Sequence, residues 1–388
     1  MTVLFWVQHL LGSGHLKRTL ILARAMAEAG LRVVVASGGM PAPWFGASGV
    51  ELVQLPPVRV SDRTFAGLLD QHGRPVDDRL RAMRRDRLLA RFRELRPRVV
   101  ITEMFPFGRR AFRFELIPLL EAAAAARAWR LCSVRDILVR KPDPEGYAWM
   151  LDQARAHYDR VLVHTDPRIV PFELTFPHAR ALGARLVETG YVVEPDVAQV
   201  ADGRGEVLVS AGGGRVGAAL LEIAIAARGR SRLRERPWRL IAGGNLADEA
   251  FAELSAGLPE GCVLERQRED FPGLLANSLL SISQAGYNTV LEGLRFQKPM
   301  VLVPFETATE TEQRTRAERL VELGLAEAVW ESELTPRMLA GAVDRASRRR
   351  LQEWPALALD GSVQTARLVA GCAAAPAPES SAGPEVAG

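Results

Sequence analysis

The sequence has few cysteines and no long apolar run, and these absences narrow the class of protein. Three cysteines occur in 388 residues, at positions 132, 262 and 372, and no two of them form a CxxC pair. This pattern fits neither a disulfide framework nor a zinc site, and it is typical of a reducing cytoplasm. No apolar stretch reaches the ~18 residues of a membrane-spanning helix. The N-terminus lacks the basic region of a signal peptide, so we interpret residues 3–7 as a first strand.

Two common nucleotide-binding signatures are also missing. The glycine-rich turn at residues 211–217 lacks the Gly-Lys-Ser/Thr ending of a P-loop, and no acidic residue is placed for a Rossmann fingerprint. Successive backbone N–H groups at Gly212, Gly213 and Gly214, followed by Arg215, still form a nest suited to a diphosphate. We therefore expect the phosphates of a ligand at this turn.

Composition and charge are those of an ordinary soluble globular protein, with 48% hydrophobic and 25% charged residues. The net charge is +4 and arginine is far commoner than lysine, which mildly favours anionic partners such as nucleotides or phospholipid surfaces. This excess is too small to indicate nucleic-acid binding, and we predict no nucleic-acid partner.

Short apolar runs alternate with helical patterns along two successive stretches of the chain. We predict an α/β protein with one Rossmann-like domain at residues 1–195 and a second at residues 206–350. A helical segment at 351–372 is expected to pack back on the first domain, before a disordered tail at 373–388. The cleft between the two domains is the default active site.

The stretch from Ser283 to Glu292 is the strongest local signal. An apolar run predicts a strand, Gly286 ends it, and Asn288 or Thr289 can cap a helix that carries Glu292. The N–H groups at a helix start bind anions, and a carboxylate nearby can accept two hydrogen bonds from a ribose diol. We therefore predict a nucleotide site here; an ordinary βαβ turn with a surface glutamate is the alternative.

A second carboxylate and amide follow at Glu312 and Gln313. Thr309 or Thr311 can cap the helix that begins there, which places both side chains in its first turn. An acid and an amide together suit the hydroxyls of a bound sugar. Compensation of the helix dipole by an acidic residue is the alternative explanation for Glu312.

The first strand leads into a glycine-rich turn with a histidine. Gly12 and Gly14 let the backbone approach a ligand, and His15 falls in the first turn of the following helix. The helix dipole disfavours imidazolium there, so we predict a largely neutral His15 that can accept a proton. A capping or packing histidine is the alternative, and Lys17 and Arg18 are read as a solvated helix face.

Polar residues also follow other predicted strands of the first domain. Because loops at the carboxyl ends of parallel strands line a common cleft, Glu103 and Asp136 are candidate acceptor-site residues. Arg135, His164 and Asp166 have the same placement, and mutual pairing of these groups is the alternative. Residues 77–95 predict a strongly basic helix, which either meets anionic lipid or is simply solvated.

The C-terminal half resembles glycosyltransferase family 28, which includes the N-acetylglucosaminyltransferase that makes the lipid-linked peptidoglycan precursor. The likeness rests on Ser210-Ala-Gly-Gly-Gly, the stretch 283–292, Pro299 to Phe305, and Glu312-Gln313. The Gly12-Ser13-Gly14-His15 loop is similar to that family's glycine-rich loop with histidine, although it is shorter. The overall pattern also resembles a branch of predicted bacterial glycosyltransferases.

The resemblance implies a GT-B fold, a nucleotide-sugar donor that is usually UDP-linked, and no obligatory metal or cofactor. By position it makes Glu292 the ribose ligand, Gln313 a donor-sugar ligand and His15 the proposed base. Glu312 stands where the family has a second glutamine, which leaves the donor sugar open. The acceptor is not named by the sequence; a lipid-linked one at the inner membrane surface fits the basic helix, and the protein is expected to be a monomer or dimer.

A second likeness gives the alternative function. The Gly-Ser-Gly-His-x-x-Arg string at residues 12–18 resembles a nucleotide-sugar hydrolase of the same fold, in which the histidine would activate water. Transfer of a sugar to an acceptor hydroxyl is the leading prediction and hydrolysis is the alternative. A nucleotide-sugar-binding protein with an inactive site is the third hypothesis.

Overall fold

The structure, a computed structural model, describes most of the chain in two compact units. The described residues are 1–10, 14–41, 49–60, 67–139, 144–195, 197–211, 215–244, 246–305, 311–349 and 354–378, with only the backbone of residues 215 and 216. The N-terminal unit comprises Met1–Val193 and Ala358–Gly388, and the C-terminal unit comprises Glu194–Leu357.

The described part of the N-terminal unit contains a seven-stranded parallel sheet and a small antiparallel pair. The strands are β1 (Thr2–Val7), β2 (Arg32–Ser37), β3 (Glu51–Gln54), β4 (Val58–Val60), β5 (Leu68–Asp70), β6 (Val99–Glu103), β7 (Trp129–Arg135), β8 (Arg160–His164) and β9 (Leu186–Glu188). The sheet order is β3-β2-β1-β6-β7-β8-β9, and β4 pairs with β5. The order reverses between β1 and β6, and ligands of open α/β sheets bind at such a reversal.

Helices cover both faces of this sheet. They are α1 (Gly14–Glu28), α2 (Asp78–Leu95), α3 (Arg113–Ala125) and α4 (Pro144–His157). Residues of β1 alternate between two apolar clusters: Leu4 and Trp6 belong to one, and Val3, Phe5 and Val7 to the other. Burial on both faces explains why β1 is a continuous apolar run.

Residues 56–75 show neither a helical nor a strand period, so the sequence predicts one long irregular loop between these two prolines, and the structure corrects this prediction. The described part of this stretch contains β4 and β5, paired antiparallel with Val58 opposite Asp70. Each strand has only three residues, too short for an alternating pattern to be recognised. Residues 61–66 lie outside the described chain.

The basic helix α2 begins where its cap predicts, because the side chain of Asp77 accepts a hydrogen bond from the N–H of Leu80 at 2.8 Å. Its arginines are not all solvated, however. The Arg84 side chain is fully buried and forms a bidentate pair with Glu115 of α3, at 2.9 and 2.7 Å. Arg84 also donates to the Gln8 side chain and to the carbonyls of Gly38 and Pro56. This network fixes the carboxyl ends of β1 and β2.

The described C-terminal unit contains a second parallel sheet, of six strands. These are β10 (Val207–Ser210), β11 (Trp238–Ala242), β12 (Cys262–Arg266), β13 (Leu280–Ser283), β14 (Met300–Leu302) and β15 (Glu327–Ala328), in the order β12-β11-β10-β13-β14-β15. Its helices are α5 (Arg215–Arg228), α6 (Asp248–Ala256), α7 (Phe271–Asn277), α8 (Tyr287–Arg295), α9 (Glu312–Glu322) and α10 (Pro336–Arg348). Here the strand order reverses between β10 and β13.

The chain then returns to the N-terminal unit as α11 (Gly361–Ala374), which packs against α1. Ala366, Val369 and Ala373 of α11 join the same apolar cluster as β1. The crossing is secured by backbone hydrogen bonds from Tyr191 to Ala358 at 2.7 Å and from Gly361 to Tyr191 at 3.0 Å. None of the helices that the structure describes has the length and apolar character needed to cross a bilayer.

Candidate active site

A histidine and a glutamate meet where the strand order of the N-terminal sheet reverses. His15 follows β1 as the second residue of α1, and Glu103 is the last residue of the neighbouring strand β6. The Nδ1 atom of His15 lies 2.6 Å from Oε1 of Glu103. The glutamate is fully buried, and the His15 side chain is 19% exposed. The pair therefore has one buried member and one member that can reach a ligand.

The charges of this pair decide which nitrogen of His15 carries the proton. Burial lowers the pKa of His15 to about 4, although Glu103 opposes the shift; Arg109 and Arg135 lower it further. Burial acts against ionisation of Glu103, but His15 and Arg18 hold its pKa at about 2. Near pH 7 a neutral imidazole thus donates Nδ1–H to a carboxylate, which leaves the Nε2 lone pair as a base. The neutral state expected for His15 is therefore due mainly to burial, which lowers its pKa, and not to the helix dipole.

The structure corrects the predicted roles of Arg18 and Glu103. Arg18, read as part of a solvated helix face, is 3% exposed and donates a hydrogen bond to Oε1 of Glu103. Glu103, read as an acceptor ligand, instead has this oxygen bound to His15 and Arg18. Its other oxygen, Oε2, is buried without a hydrogen-bond partner among the described residues. Glu103 is therefore placed to orient His15.

Asp136, the other predicted acceptor-side residue, is also buried, and its Oδ1 accepts a hydrogen bond from the N–H of Ile137 at 2.9 Å. This burial contradicts an exposed role in acceptor binding. His164 is a packing histidine, held by Ser133 at 2.7 Å and Thr189 at 2.8 Å. Asp166 pairs with Arg168 at 2.6 Å, so the alternative of mutual pairing, in which Asp166 would pair with Arg135, is wrong for this carboxylate.

Arg109 is a residue that the sequence interpretation did not single out. It is half-buried, and its Nε donates to the carbonyl of Gln8, at the end of β1, at 2.7 Å. Burial lowers the pKa of this guanidinium to about 10, Glu103 opposes the shift, and Arg135 and Arg18 add to it. Arg109 therefore belongs to the same electrostatic cluster as His15 and Glu103. Its position six residues after the end of β6 is the feature of the sequence that could have marked it as a candidate site residue.

In the C-terminal unit, the strand reversal makes neighbours of the two strands that precede the predicted phosphate turns. Ser210 of β10 is paired with Ser283 of β13, so Ala211 and the turn at residues 284–286 lie at the same edge of the sheet. Gly286 is the N-cap of α8 and has no side-chain cap, which corrects the predicted capping by Asn288 or Thr289. Those two residues lie in the first turn of α8, where backbone N–H groups have no intrahelical acceptor. Gly286 has open space beside it, because a Cβ added there would meet no described atom within 4 Å.

Glu292 and the start of α9 complete the described part of this edge. Glu292 is buried on α8. Glu312, expected to contact a donor sugar, instead forms a buried ion pair with Arg316 at 2.8 Å. Arg316 also donates to the carbonyl of Ala285 at 2.8 Å, which ties α9 to the turn before α8. The sequence analysis predicted neither of these contacts of Arg316, although the i,i+4 spacing of Glu312 and Arg316 suits an ion pair.

Gln313 has a different environment from Glu312. Its Oε1 accepts a hydrogen bond from the N–H of Phe305 at 3.1 Å, so the side-chain amide is oriented by the loop after β14. The predicted ligands Gly12, Gly212, Gly213 and Gly214 lie outside the described residues, as does the side chain of Arg215. Gly14 is the first residue of α1. Within the described chain, no three His, Cys, Asp or Glu side chains are grouped so that they could hold a metal ion.

Comparison with solved structures identifies the class of fold. The chain is similar to the calicheamicin glycosyltransferase CalG4, with a TM-score of 0.59 and 18% identity over 96% of this chain and 94% of that one. It is similar to MurG of Acinetobacter baumannii, with a TM-score of 0.56 and 17% identity over 94% of each chain. The glycosyltransferase VinC in complex with DTDP has a TM-score of 0.57 and 17% identity, over 96% of this chain and 95% of that one. The fold is therefore GT-B.

Sequence comparison places the C-terminal unit more narrowly. Residues 268–358 match the Glycosyltransferase family 28 C-terminal domain. Two relatives are named UDP-N-acetylglucosamine--N-acetylmuramyl-(pentapeptide) pyrophosphoryl-undecaprenol N-acetylglucosamine transferase. The one from Geobacillus kaustophilus is 31% identical over 145 residues, 37% of this chain and 39% of the relative. The one from Geobacillus thermodenitrificans is 37% identical over 82 residues, 21% of this chain and 23% of the relative.

These matches cover only part of each relative's length, 39% and 23% for the two Geobacillus proteins. Together with the fold they make the chain a glycosyltransferase family 28-like protein of GT-B architecture. The resemblance to glycosyltransferase family 28 inferred from the stretch 283–292 and Gln313 is confirmed for residues 268–358. The roles of individual site residues stay predictions.

Proposed function

We propose that this protein is a glycosyltransferase that moves a sugar from a nucleotide-linked donor, UDP in the first instance, to an acceptor hydroxyl. The observation that carries the proposal is the pair of His15 and Glu103, at 2.6 Å, at the strand reversal of a GT-B N-terminal unit. Among the described residues, no group forms a hydrogen bond with Nε2 of His15. This nitrogen is therefore available to a substrate hydroxyl.

The reaction follows from the protonation states of the pair. Nε2 of His15 takes the proton of the acceptor hydroxyl as its oxygen attacks the anomeric carbon of the donor sugar. A glycosidic C–O bond forms, and the bond from the anomeric carbon to the diphosphate oxygen breaks. The nucleoside diphosphate leaves with the bonding electron pair. Glu103 stabilises the imidazolium that His15 becomes, because its buried carboxylate holds the opposite charge against Nδ1.

In this proposal the C-terminal unit binds the donor. Backbone N–H groups at the start of α8 and in the turn 212–214 bind the diphosphate, and they stabilise its charge as it leaves. Glu292 binds the ribose hydroxyls, and the amide of Gln313 binds the donor sugar. Neutralisation by backbone amides makes a metal unnecessary, so activity is expected to persist in excess EDTA.

A nucleotide-sugar panel tests the proposal. UDP-, dTDP- and GDP-linked sugars are added to the full chain, and the melting temperature is measured, because a donor that binds the folded state raises it. Gly286→Ala is the sharpest donor-site variant. Gly286 has an ordinary φ of −67°, and no described atom would clash with the added methyl group. We expect near-normal folding and weaker UDP binding; unchanged UDP binding would remove this turn from the donor site.

Product analysis separates transfer from hydrolysis. His15→Ala should lower turnover by ~10²–10⁴ while leaving donor affinity nearly unchanged, because the histidine acts on the acceptor's proton. Release of UDP and free sugar at the same rate with and without any acceptor would instead indicate the hydrolase. UDP binding with no turnover on any acceptor would indicate a binding protein.

The proposed location is the cytoplasm, with peripheral binding to anionic membrane through helix α2. Arg79, Arg87 and Arg93 are exposed on this helix, whereas Arg84 is buried. Co-sedimentation with vesicles of phosphatidylglycerol and phosphatidylcholine tests this at low salt, where charge attraction is least screened. A variant with these three arginines changed to Gln should lose binding. Equal sedimentation of both proteins would contradict a role for α2.

A further inference from the structure

A cavity of about 330 Å³ lies at the edge of the C-terminal sheet opposite to the proposed donor site. Met300, the first residue of β14, and Glu327, the first residue of β15, both line it. It is therefore at the amino ends of these strands, whereas the turn at residues 284–286 follows the carboxyl end of β13. The described residues that line the cavity all belong to the C-terminal unit. The proposed donor site does not use this cavity.

Trp354 lines the cavity and differs from the other described tryptophans in having no specific partner. The chain has seven tryptophans, and all but Trp44 lie in the described residues. Trp354 is half-buried, and within the described chain it makes no hydrogen bond, ring contact or cation–π contact. Each of the other five makes at least one such contact; Trp330, for example, has the guanidinium of Arg314 over its ring at 5.2 Å. The indole of Trp354 is therefore available to a ligand.

Two polar residues of the lining keep uncommitted hydrogen-bonding groups. Gln297 is exposed, and its side-chain amide has no hydrogen-bond partner among the described residues. Its φ of 52° is one that glycine would adopt without strain, so this side chain is kept at an energetic cost. Nη1 of Arg349 donates to the Ala326 carbonyl at 3.0 Å, but its Nε and Nη2 have no acceptor in the part of the chain that the structure describes.

The third polar residue, Glu327, is already occupied by two arginines. Its Oε2 accepts a hydrogen bond from Nε of Arg345 at 2.8 Å, and its Oε1 lies 3.6 Å from Nη1 of Arg349. These two guanidinium groups and one carboxylate together carry a charge of +1. The mouth of the cavity therefore favours an anionic group over a cationic one.

The lining favours a flat aromatic ring over a sugar. Six of the nine described lining residues are apolar, so a sugar ring would leave several hydroxyl groups without a hydrogen-bond partner, which is unfavourable. A nucleobase instead offers an apolar face to an aromatic side chain, and its edge presents a donor beside an acceptor, which a primary amide can match with two hydrogen bonds. The volume suits a small molecule, because such sites span about 300–1,000 Å³.

We propose that this cavity is a second ligand site, which binds a purine nucleotide. The base stacks on Trp354, its edge pairs with the amide of Gln297, and the phosphate binds Nε and Nη2 of Arg349. A purine covers more of the apolar lining than a pyrimidine does, which favours the larger base. This inference goes beyond the proposed function, because neither His15 nor the donor ligands take part. The nucleotide is an effector and not a substrate, since it binds at the opposite edge of the sheet from the donor turns.

Calorimetric titration of the full chain tests the proposal. The probes are adenosine monophosphate, guanosine monophosphate and ribose 5-phosphate, which has the same sugar phosphate without a base. UDP is titrated into the same proteins in separate experiments. Trp330→Ala is the matched control, because Trp330 is also half-buried in the C-terminal unit but does not line the cavity. The other variants are Trp354→Ala, Gln297→Ala, Arg349→Gln and the donor-turn variant Gly286→Ala.

We expect the wild type to bind at least one of the two purine nucleotides tenfold or more tightly than ribose 5-phosphate. Trp354→Ala should weaken that binding about tenfold to a hundredfold, the scale of lost base stacking. Gln297→Ala and Arg349→Gln should each weaken it about threefold to tenfold, and because both residues are exposed these variants remain informative if Trp354→Ala folds poorly. All three variants should bind UDP as the wild type does, and Trp330→Ala and Gly286→Ala should keep the purine affinity.

Any of three results would overturn the inference. The first is purine nucleotide binding no tighter than that of ribose 5-phosphate. The second is an equal purine affinity in the wild type and in the three cavity variants, or an equal loss in Trp330→Ala. The third is a purine affinity lost in Gly286→Ala and kept in Trp354→Ala, which would assign the nucleotide to the donor turn. Failure of the proposed function is distinguishable, because it would appear as the absence of UDP binding in the wild type and would leave the purine titrations readable.

Discussion

Replacing Glu103 by glutamine tests the mechanism at its most constrained point. The substitution Glu103→Gln keeps the shape of the side chain and removes its charge. In the native protein one carboxylate oxygen accepts hydrogen bonds from both His15 and Arg18. The amide oxygen of glutamine can still accept from His15, but it offers no negative charge to the imidazolium that forms during the reaction. Arg18, 3% exposed, would lose its counter-charge.

The size of the effect follows from these contacts. A hydrogen bond to a charged group contributes about 1.5–3 kcal/mol, and the contact between ionised Glu103 and His15 gains strength on this scale when the imidazole becomes protonated during the reaction. Its loss should raise the barrier by that amount, which corresponds to a kcat lower by about 10- to 150-fold. The KM for the donor should change little, because the proposed donor ligands lie in the C-terminal unit. Loss of the counter-charge of Arg18 should also destabilise the fold by about 3–5 kcal/mol.

The control is a carboxylate with the same burial and no contact with His15. Glu115 is fully buried and pairs with Arg84, as Glu103 pairs with Arg18. Glu115→Gln should therefore lose comparable stability in urea denaturation but keep its kcat. Turnover is measured for both variants at saturating substrates, well below their melting temperatures, and is divided by the folded fraction from circular dichroism. Equal kcat values for the two variants would refute the role given to Glu103.

Three further outcomes are expected. Arg84→Leu should lower the free energy of unfolding by about 3–5 kcal/mol, because Glu115 keeps its charge without its main partner; Arg84→Met with Glu115→Gln should recover part of this in urea titrations. Burial holds the pKa of His164 at about 3, below its unfolded value of about 6.5. As the pH is lowered from 6.5 to 3, the unfolded state therefore gains a proton that the folded state does not, and the free energy of unfolding should decrease. His164→Gln should make the free energy of unfolding depend less on pH in this range, and an unchanged slope would contradict the role given to His164. Arg316→Gln should weaken UDP binding, because the Ala285 carbonyl loses its anchor, whereas Arg314→Gln at the exposed side of α9 should not; equal binding by both would argue against the anchor.

The α/β fold was predictable because its main strands are buried apolar runs. β1, β2 and β6 are largely apolar stretches that stop at Gln8, Gly38 and Glu103, and a parallel sheet covered on both faces requires such buried runs. The pair β4 and β5 was missed because three-residue strands show no period. The burial of Arg84 within an arginine-rich helix was missed for another reason: sequence spacing shows where helix faces lie, but not which one meets Glu115.

Candidate site residues could be predicted from their positions just after strand ends, but the contacts between them could not. His15 and Glu103 were each singled out, but only the strand order β2-β1-β6 makes them neighbours. Without that order, Glu103 was read as an acceptor ligand and Arg18 as solvated. Glu312 was predicted to bind sugar hydroxyls because its ion pair with Arg316, four residues later, was not considered. In each case the error was to miss the oppositely charged or hydrogen-bonding side chain that a charged residue contacts, because such contacts depend on the three-dimensional structure.

The return of the chain through α11 has a consequence for biosynthesis. The C-terminal unit is inserted into the N-terminal one, whose apolar cluster around α1 is completed only by Ala366, Val369 and Ala373. On the ribosome the inserted unit emerges whole before that last helix does, so it can fold while the apolar cluster of the earlier unit is still uncovered. Chains truncated before residue 361 and released from the ribosome should therefore resist protease in the later unit and be cleaved in the earlier one.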